Sequence, residues 1–172
     1  MRPYVLGTIV MLTAAAALAQ QRASQTAPAS PKLFASAADV TAMMAKAKSE
    51  RKPDQVNFIQ PIVQLAPYNA NLEYRAGGLA APASVHEREA EMFYVVDGSG
   101  TIVTGGTLRE EKRTNAENLT GSGVEGGTPR RIAKGDWVMV PEKTPHWFTQ
   151  IDGTLVLMSI HLPHAPSATS SR

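Results

Sequence analysis

The sequence has 172 residues, a formal net charge of +2 and no cysteine, and these three properties exclude several classes of protein. A chain of this length suits one domain, and a charge so close to neutral argues against nucleic acid as a partner. Because cysteine is absent, disulfide scaffolds, zinc fingers, thiol nucleophiles and copper–thiolate sites are excluded, and the strong metal ligands that remain are imidazole, carboxylate and amide groups.

The first 19 residues have the pattern of a signal peptide. Arg2 gives a positive start, residues 5–17 form an apolar run, and small residues at Ala17 and Ala19 match the pattern that signal peptidase recognises. A retained anchor is the alternative, but the apolar run is shorter than a membrane span. We therefore expect cleavage after Ala19, a periplasmic or secreted protein, and no stable membrane anchor. Since Arg2 is the only charged residue removed, cleavage leaves a net charge of +1.

The composition divides the rest of the chain into three segments. Residues 20–34 are rich in Gln, Ala, Ser and Pro and contain few large apolar side chains, which predicts a flexible linker. Residues 165–172 are similar and predict a disordered tail. Residues 35–164, which lie between them, are predicted to form one domain.

A short helix is predicted at the start of this domain. Ser36 can cap its first turn together with Asp39, and Pro53 marks the point before which the helix has to end. Apolar side chains recur at helical spacing, which predicts that one face packs on the domain; they are Val40, Met43, Met44 and Ala47.

From residue 56 onward the pattern changes to short β-type runs separated by Gly and Pro, which predicts an all-β sandwich or barrel. Tight hairpins are predicted at residues 97–100 and 152–153. Residues 107–129 are rich in Gly and Asn and are predicted to be a long loop, of the kind that is functional or mobile. The predicted strands are 58–65, 70–75, 83–86, 91–97, 100–105, 130–133, 137–141, 146–151 and 154–161.

Three polar residues in these strands form a candidate metal site. His86 and Glu91 lie five positions apart across a short connection, and His146 follows two prolines that stiffen its approach. If Glu91 faces the interior, its ionised carboxylate costs several kcal/mol unless a cation or a donor compensates it. One divalent ion shared with two imidazoles would do so, and iron, manganese, nickel, zinc or copper all suit such ligands. A polar pocket without metal is the alternative.

Both segments resemble the two motifs of the cupin superfamily. The first family motif is Gly, five residues, His-x-His, three or four residues, Glu, six residues and Gly. The second is Gly, five residues, Pro-x-Gly, two residues, His, three residues and Asn. The resemblance covers residues 65–162 and implies a single cupin-type (jelly-roll) β-barrel, here with a short N-terminal helix. The matching positions are Gly78, Ser84, His86, Glu91 and Gly98, then Gly135, Pro141, Lys143, His146 and Gln150.

Three positions depart from the family pattern. Ser84 stands where the first motif has its first His, and a hydroxyl is a weak neutral ligand. A water could replace the missing imidazole, or Gln150, which stands in the final Asn slot, could reach the ion. Lys143 stands in the Gly slot of the second motif, which affects turn geometry more than chemistry.

Other residues are candidates for catalysis or for a substrate pocket. His161, at the end of the last predicted strand, has the ordinary pKa of a general acid or base, and a rim or surface histidine is the alternative. Arg75 could meet an anionic substrate at the pocket mouth, or it could be a solvated surface charge. Phe93 and Phe148 are expected to line the interior of the barrel, with core packing as the alternative. The predicted pocket consists of Ser84, Arg75, Phe93, Phe148 and Gln150.

Cupins include dioxygenases, isomerases, lyases and sugar-binding modules, so the resemblance alone does not fix the reaction. It implies a metalloenzyme acting on a small organic or sugar-like substrate, with the ion as a Lewis acid or redox centre, and oxidation ranks slightly above lyase or isomerase chemistry. A non-catalytic module that binds a small molecule or carbohydrate beneath residues 107–129 is the alternative. Cupins commonly dimerise, and the helix with residues 58–65 could extend the sheet of a second copy into a homodimer.

Overall fold

A computed structural model of the protein describes residues 30–164. The predicted signal peptide, residues 20–29 of the predicted linker and the predicted tail at 165–172 lie outside the described residues. In the described part of the chain, no helix has both the length and the apolar character needed to cross a membrane.

The described chain consists of one helix followed by strands, which confirms the all-β prediction. Helix α1 is Ala37–Glu50. The strands are β1 (Asn57–Leu65), β2 (Tyr68–Ala76), β3 (Ala83–His86), β4 (Glu89–Thr104), β5 (Thr107–Arg109), β6 (Lys112–Arg113), β7 (Asn118–Gly121), β8 (Gly123–Glu125), β9 (Thr128–Ala133), β10 (Trp137–Val140) and β11 (His146–Pro163).

Helix α1 begins at the predicted cap. The Ser36 hydroxyl accepts a hydrogen bond from the Asp39 backbone N–H, and the Asp39 carboxylate accepts one from the Ser36 N–H, so two free donors of the first turn are satisfied. The helix lies on the outer face of the sheet, where the Gln60 side chain donates to the Met43 carbonyl oxygen. Apolar side chains of the helix pack there around Ile62, Leu72 and Val156, and they are Val40, Met43 and Met44.

Two long strands organise the sheet. β4 and β11 pair along most of their length, so each strand runs through both halves of the fold. The predicted hairpins at 97–100 and 152–153 are therefore wrong: both segments lie inside continuous strands, at irregularities in the pairing of β4 with β11. Gly98 is required at this bend, because its φ is +79° and a Cβ would collide with the Thr154 carbonyl oxygen.

The bends fold the sheet back on itself around one core. The second half of β11 lies between β2 and the first half of β4, and the first half of β11 pairs with β3 and the second half of β4. The hydrogen-bonded sheet does not close into a ring in the described residues, since β1 and β6 stand at its two ends. The core between the halves consists of Phe93, Val95, Ile102, Ile132, Val138, Val140, Phe148, Leu155 and Leu157.

Residues 107–129 are not the predicted loop. They form four short strands and the start of β9, and β7 pairs with β3 over all four residues of each strand. Few of these side chains are apolar, so hydrophobic periodicity could not reveal the strands. β7 also pairs with β6, whereas β5 and β8 pair with each other in a separate two-stranded sheet. The pairing of β7 with β3 brings Asn118 opposite His86.

Candidate metal centre

Glu91 is the centre of a group of imidazoles inside the fold. Strand alternation turns it to the same face of β4 as Phe93 and Val95, and it is only 4% exposed. Its Oε2 lies 3.2 Å from Nε2 of His86 and 3.2 Å from Nε2 of His146. Its Oε1 accepts a hydrogen bond from the Ser159 hydroxyl.

The rings of His86 and His146 are held by acceptors at their other nitrogen. Nδ1 of His86 donates to the amide oxygen of Asn118 at 2.6 Å, and Nδ1 of His146 lies 3.3 Å from the Thr144 carbonyl oxygen. A neutral imidazole with its proton on Nδ1 has its lone pair on Nε2. With a metal ion bound, both Nε2 lone pairs would be directed to the ion beside Glu91. Without one, Nε2 has to carry a proton to donate to this carboxylate.

His161 is a third imidazole at the same carboxylate. It stands opposite Glu91 in the pairing of β11 with β4, and its Nε2 lies 3.5 Å from Glu91 Oε1. Its Nδ1 lies 2.7 Å from a carboxylate oxygen of Glu89. The ring of His86 is 5.3 Å from that of His161 and 5.3 Å from that of His146. We refer to His86, Glu91, His146 and His161 as the Glu91 cluster.

The electrostatics of the cluster favour an ionised Glu91. Burial works to raise the pKa of this carboxyl, but hydrogen bonds from His146 and His86 outweigh burial and hold the pKa well below its ordinary range. Burial also works to lower the pKa of His86, whereas its hydrogen bonds to Glu91 and Asn118 raise it above the ordinary value. The Glu91 carboxylate therefore stays charged, and this buried negative charge attracts a cation.

Three donors of the cluster lie close enough together to share one metal ion. Atoms that share an ion at about 2.1 Å lie about 3–4 Å apart, and the three distances to Glu91 fall within this range at 3.2, 3.2 and 3.5 Å. Ligand atoms of His86, Glu91 and His161 all lie within 4.8 Å of one another. His146, a predicted ligand, is not part of this group, although its Nε2 lies 3.2 Å from Oε2 of Glu91. Three imidazoles and one carboxylate suit divalent transition metals.

The predicted pocket residues occupy different places. Ser84 lies two positions before His86 on β3, so it faces the same side, and it stands opposite His146 in the pairing of β3 with β11. Phe93 is fully buried and Phe148 is 5% exposed, and their rings meet edge to face at 5.3 Å in the core. Both aromatic side chains thus fill the interior next to the cluster, where Phe93 lies 6.0 Å from the ring of His146.

Arg75 and Gln150 point to partners of their own. The Arg75 guanidinium pairs with Glu73, with Nη2 2.6 Å from Oε2, and lies 4.3 Å from the centre of the Phe148 ring. Its charge is therefore already neutralised by a buried carboxylate, which weakens the expectation that it meets an anionic substrate. The Gln150 side chain is exposed and donates to Asp152 rather than to the Glu91 cluster.

Three residues that support the cluster were missed by the sequence analysis. Asn118 lies in the segment predicted to be a loop, Glu89 falls just outside the predicted strand 91–97, and Ser159 is a hydroxyl in an otherwise apolar run. Alternation in β11 could have revealed Ser159, because it shares a face with His161. The positions of Asn118 and Glu89 depend on long-range strand pairing, which has no local signal.

Lys143 lies in the turn before His146. Its φ is 58°, in the left-handed region that glycine adopts most easily, and the family motif has Gly at this position. Its backbone N–H donates to the His86 carbonyl oxygen at 2.7 Å, so this turn connects the two motif segments directly.

Comparisons with known proteins agree with this architecture. No family model matches the sequence, and no curated protein matches it. The DMSP lyase DddQ from Ruegeria pomeroyi is similar, with a TM-score of 0.51 and 18% identity over 81% of this chain and 71% of that chain. The protein TT1209 from Thermus thermophilus is also similar, with a TM-score of 0.50 and 17% identity over 70% of this chain and 95% of that chain. The chain has the jelly-roll fold of the cupin superfamily.

Proposed function

We propose that this protein is an exported small metalloenzyme that binds one divalent metal ion at the Glu91 cluster and acts on a small organic or sugar-like substrate. The observation that carries the proposal is the convergence of imidazole Nε2 atoms on one buried carboxylate. A buried carboxylate with several nitrogen donors around it suits a cation, and each ring is fixed through its Nδ1.

Some residues of the site would bind the metal ion, and others orient those ligands. His86 and His146 would bind the ion through Nε2, and Glu91 would bind it and neutralise part of its charge. Ser159 and Asn118 orient the Glu91 carboxylate and the His86 ring. A bound divalent ion would supply a Lewis acid or a redox centre, and we rank oxidation slightly above lyase or isomerase chemistry. Phe93, which is buried beside His146, helps to exclude water from this side of the site.

A non-catalytic module that binds a small molecule or carbohydrate is the second candidate function. Metal analysis of the full chain, purified without chelator, separates the two, with His86→Ala as the comparison. A metalloenzyme is expected to contain about one equivalent of metal and the variant much less. A wild-type protein without stoichiometric metal would overturn the proposed metalloenzyme function and favour the non-catalytic binding module.

The type of reaction is tested on the metal-loaded protein. We expect oxygen uptake with one of a panel of phenols, sugars and diketones, and none with His86→Ala. Product formation without oxygen uptake, lost in the same variant, would favour lyase or isomerase chemistry. If no panel member reacts but one binds with the same affinity to wild type and His86→Ala, the binding module is favoured.

Export is proposed from the signal-peptide pattern of residues 1–19, which lie outside the described residues. Mass spectrometry of the protein isolated from the periplasmic or culture fraction should give a chain that starts at Gln20. A protein that stays inside the cell with Met1–Ala19 attached would contradict this part of the proposal.

A homodimer is proposed from the outer edge of the sheet, where β1 has a bridge only at Gln64, to Lys32. β1 stands at one end of the strand order, and large apolar side chains at this edge are exposed, including Ile59, Leu65 and Tyr68 at 55%, 51% and 57%. An exposed apolar edge strand favours pairing with a second copy. Light scattering should give twice the chain mass, and a monomer at micromolar concentration would reject the homodimer.

A further inference from the structure

The first motif of this chain lacks one imidazole, and the far end of the sheet supplies another. Ser84 occupies the position of the missing ring, and its hydroxyl is a poor substitute for a nitrogen ligand. His161 lies 75 positions after His86 in the sequence, on the last strand, yet its Nε2 reaches Oε1 of Glu91 at 3.5 Å. The cluster therefore contains the same number of imidazoles as a pattern with His at position 84.

We propose that His161 is a metal ligand that replaces the imidazole missing at Ser84, so that the ion is held by three histidines and one glutamate, with His161 supplied by the last strand. This inference rests on the proposed metal site and states which residues complete it. It also assigns His161 a role different from the general acid or base expected from the sequence.

The position of the His161 backbone supports a ligand. β11 is paired on both sides at this point, with Glu91 of β4 opposite on one side and Asn69 of β2 on the other. A residue in the middle of a sheet cannot easily move toward or away from a substrate, whereas a ligand benefits from a fixed position. Its direction is inward, because it shares a face of the strand with Ser159, which contacts the same carboxylate.

The orientation of the ring supports the same role. Nδ1 of His161 donates to Glu89 at 2.7 Å, which places the lone pair on Nε2, and Nε2 faces Glu91. A carboxylate behind a ligating histidine fixes its tautomer and increases the basicity of the ligating nitrogen. We infer that Glu89 is the positioning residue for His161, as Asn118 is for His86.

Histidine-selective NMR tests the inference without relying on a variant. The chain contains four histidines, and His164, which is the one outside the cluster, has its Nδ1 2.7 Å from Glu142 and is an internal control with a similar carboxylate contact. In the full chain labelled with 15N-histidine, one equivalent of Zn²⁺ should move three Nε2 resonances to metal-bound positions and leave that of His164 unchanged. If only the Nε2 resonances of His86 and His146 move to metal-bound chemical shifts, the inference is overturned, but the proposed metal site remains intact.

Calorimetric titration with Zn²⁺ gives the matching binding data. His161→Ala should weaken Zn²⁺ binding by at least about tenfold, because even residues that only orient metal ligands contribute about 10- to 100-fold. His164→Ala should stay within twofold of wild type. The double variant Ser84→His with His161→Ala should recover affinity. Equal affinity of wild type and His161→Ala would overturn the inference, whereas a wild type that binds no Zn²⁺, Mn²⁺, Fe²⁺, Ni²⁺ or Cu²⁺ would overturn the proposed function itself.

If His161→Ala does not fold, as judged by circular dichroism, the three-resonance result on the wild-type protein still decides the question. His161→Gln is the second variant, because its side-chain amide can keep the hydrogen bond to Glu89 while it lacks an imidazole nitrogen. It should fold and bind Zn²⁺ at least about tenfold more weakly than wild type.

Discussion

His86 donates from Nδ1 to the side-chain oxygen of Asn118 at 2.6 Å, and this contact joins the first motif to the segment between the motifs. The two residues face each other because β3 and β7 pair with His86 opposite Asn118. The segment that the sequence suggests is a loop is thus a structural support of the candidate site.

Asn118→Leu should therefore weaken metal binding. The substitution removes the acceptor that fixes the His86 ring, and loss of such an outer partner costs about 10- to 100-fold in affinity. Asn118→Asp keeps an acceptor and is the matched control, which should retain affinity within a few-fold. Calorimetric titration with Zn²⁺ measures both, and equal affinities for the two variants would contradict the assigned role.

The stability of the metal-free protein should depend on pH through His86 and Glu91. The raised pKa of His86 stabilises the fold below its ordinary value of 6.5, and this contribution is lost as the pH rises through the folded-state pKa. The lowered pKa of Glu91 stabilises the fold above its ordinary value of 4.5, and this contribution is lost as the pH falls toward the folded-state pKa. The pair is therefore most stabilising between these two values.

Denaturant unfolding in the presence of EDTA checks this dependence. Between pH 6 and 8.5, the free energy of unfolding should decrease more for wild type than for His86→Gln, which cannot be protonated in this range. Affinity for Zn²⁺ should rise over the same range, because an imidazole must lose its proton to bind metal. Identical pH dependence in wild type and His86→Gln would show that His86 does not gain a proton in the metal-free fold.

Ser36→Ala should lower the free energy of unfolding by about 1 kcal/mol, because it removes the hydroxyl that caps α1. Ser49→Ala is the control: its hydroxyl is exposed on the same helix and donates to the Lys46 carbonyl oxygen, so the change should stay within about 0.5 kcal/mol. Urea unfolding monitored by circular dichroism measures both variants. Equal effects would mean that the cap does not contribute to stability.

Lys143 offers a test of backbone conformation in the turn that connects the two motifs. The left-handed backbone conformation costs a non-glycine residue roughly 1–2 kcal/mol. Glycine avoids this cost, but it lowers stability by roughly 0.4–1 kcal/mol because it increases the conformational entropy of the unfolded chain. With φ at 58°, Lys143→Gly should leave the free energy of unfolding unchanged or raise it by up to about 1.5 kcal/mol. Lys143→Val should lower it by more than about 1 kcal/mol, since β-branched residues rarely adopt positive φ. The opposite order in urea unfolding would contradict the structure of this turn.

The elements with local signals were predictable from the sequence, and those set by distant pairing were not. The cap at Ser36 follows from the spacing of Ser36 and Asp39. Strand alternation puts Glu91 on the same face as Phe93, but that this face is buried is known only from the structure. The turn residues at 97–100 and 152–153 were misleading, because the same Gly and Asp residues that form hairpins also permit bends in long paired strands. Only the pairing of β4 with β11 shows that these residues form bends and not hairpins.

In the candidate site too, local sequence patterns predicted some residues, whereas distant strand pairing determined the position of others. The motif spacings brought His86, Glu91 and His146 together in the sequence analysis, and the structure places all three side by side. The direction of His161 could not be deduced, because a register error of one residue in β11 would have turned it outward. Its pairing opposite Glu91 removes that ambiguity.

Anomalous X-ray diffraction from crystals of the full chain, purified without chelator and grown with Mn²⁺, is the most direct test of the proposed metal site. The expected result is one strong peak bonded to Nε2 of His86 and His146 and to the carboxylate of Glu91, with His161 as the additional ligand, and no such peak in Glu91→Gln crystals. A wild-type map without a peak at the cluster, in crystals that contain Mn²⁺, would contradict the proposal that this site holds a metal ion.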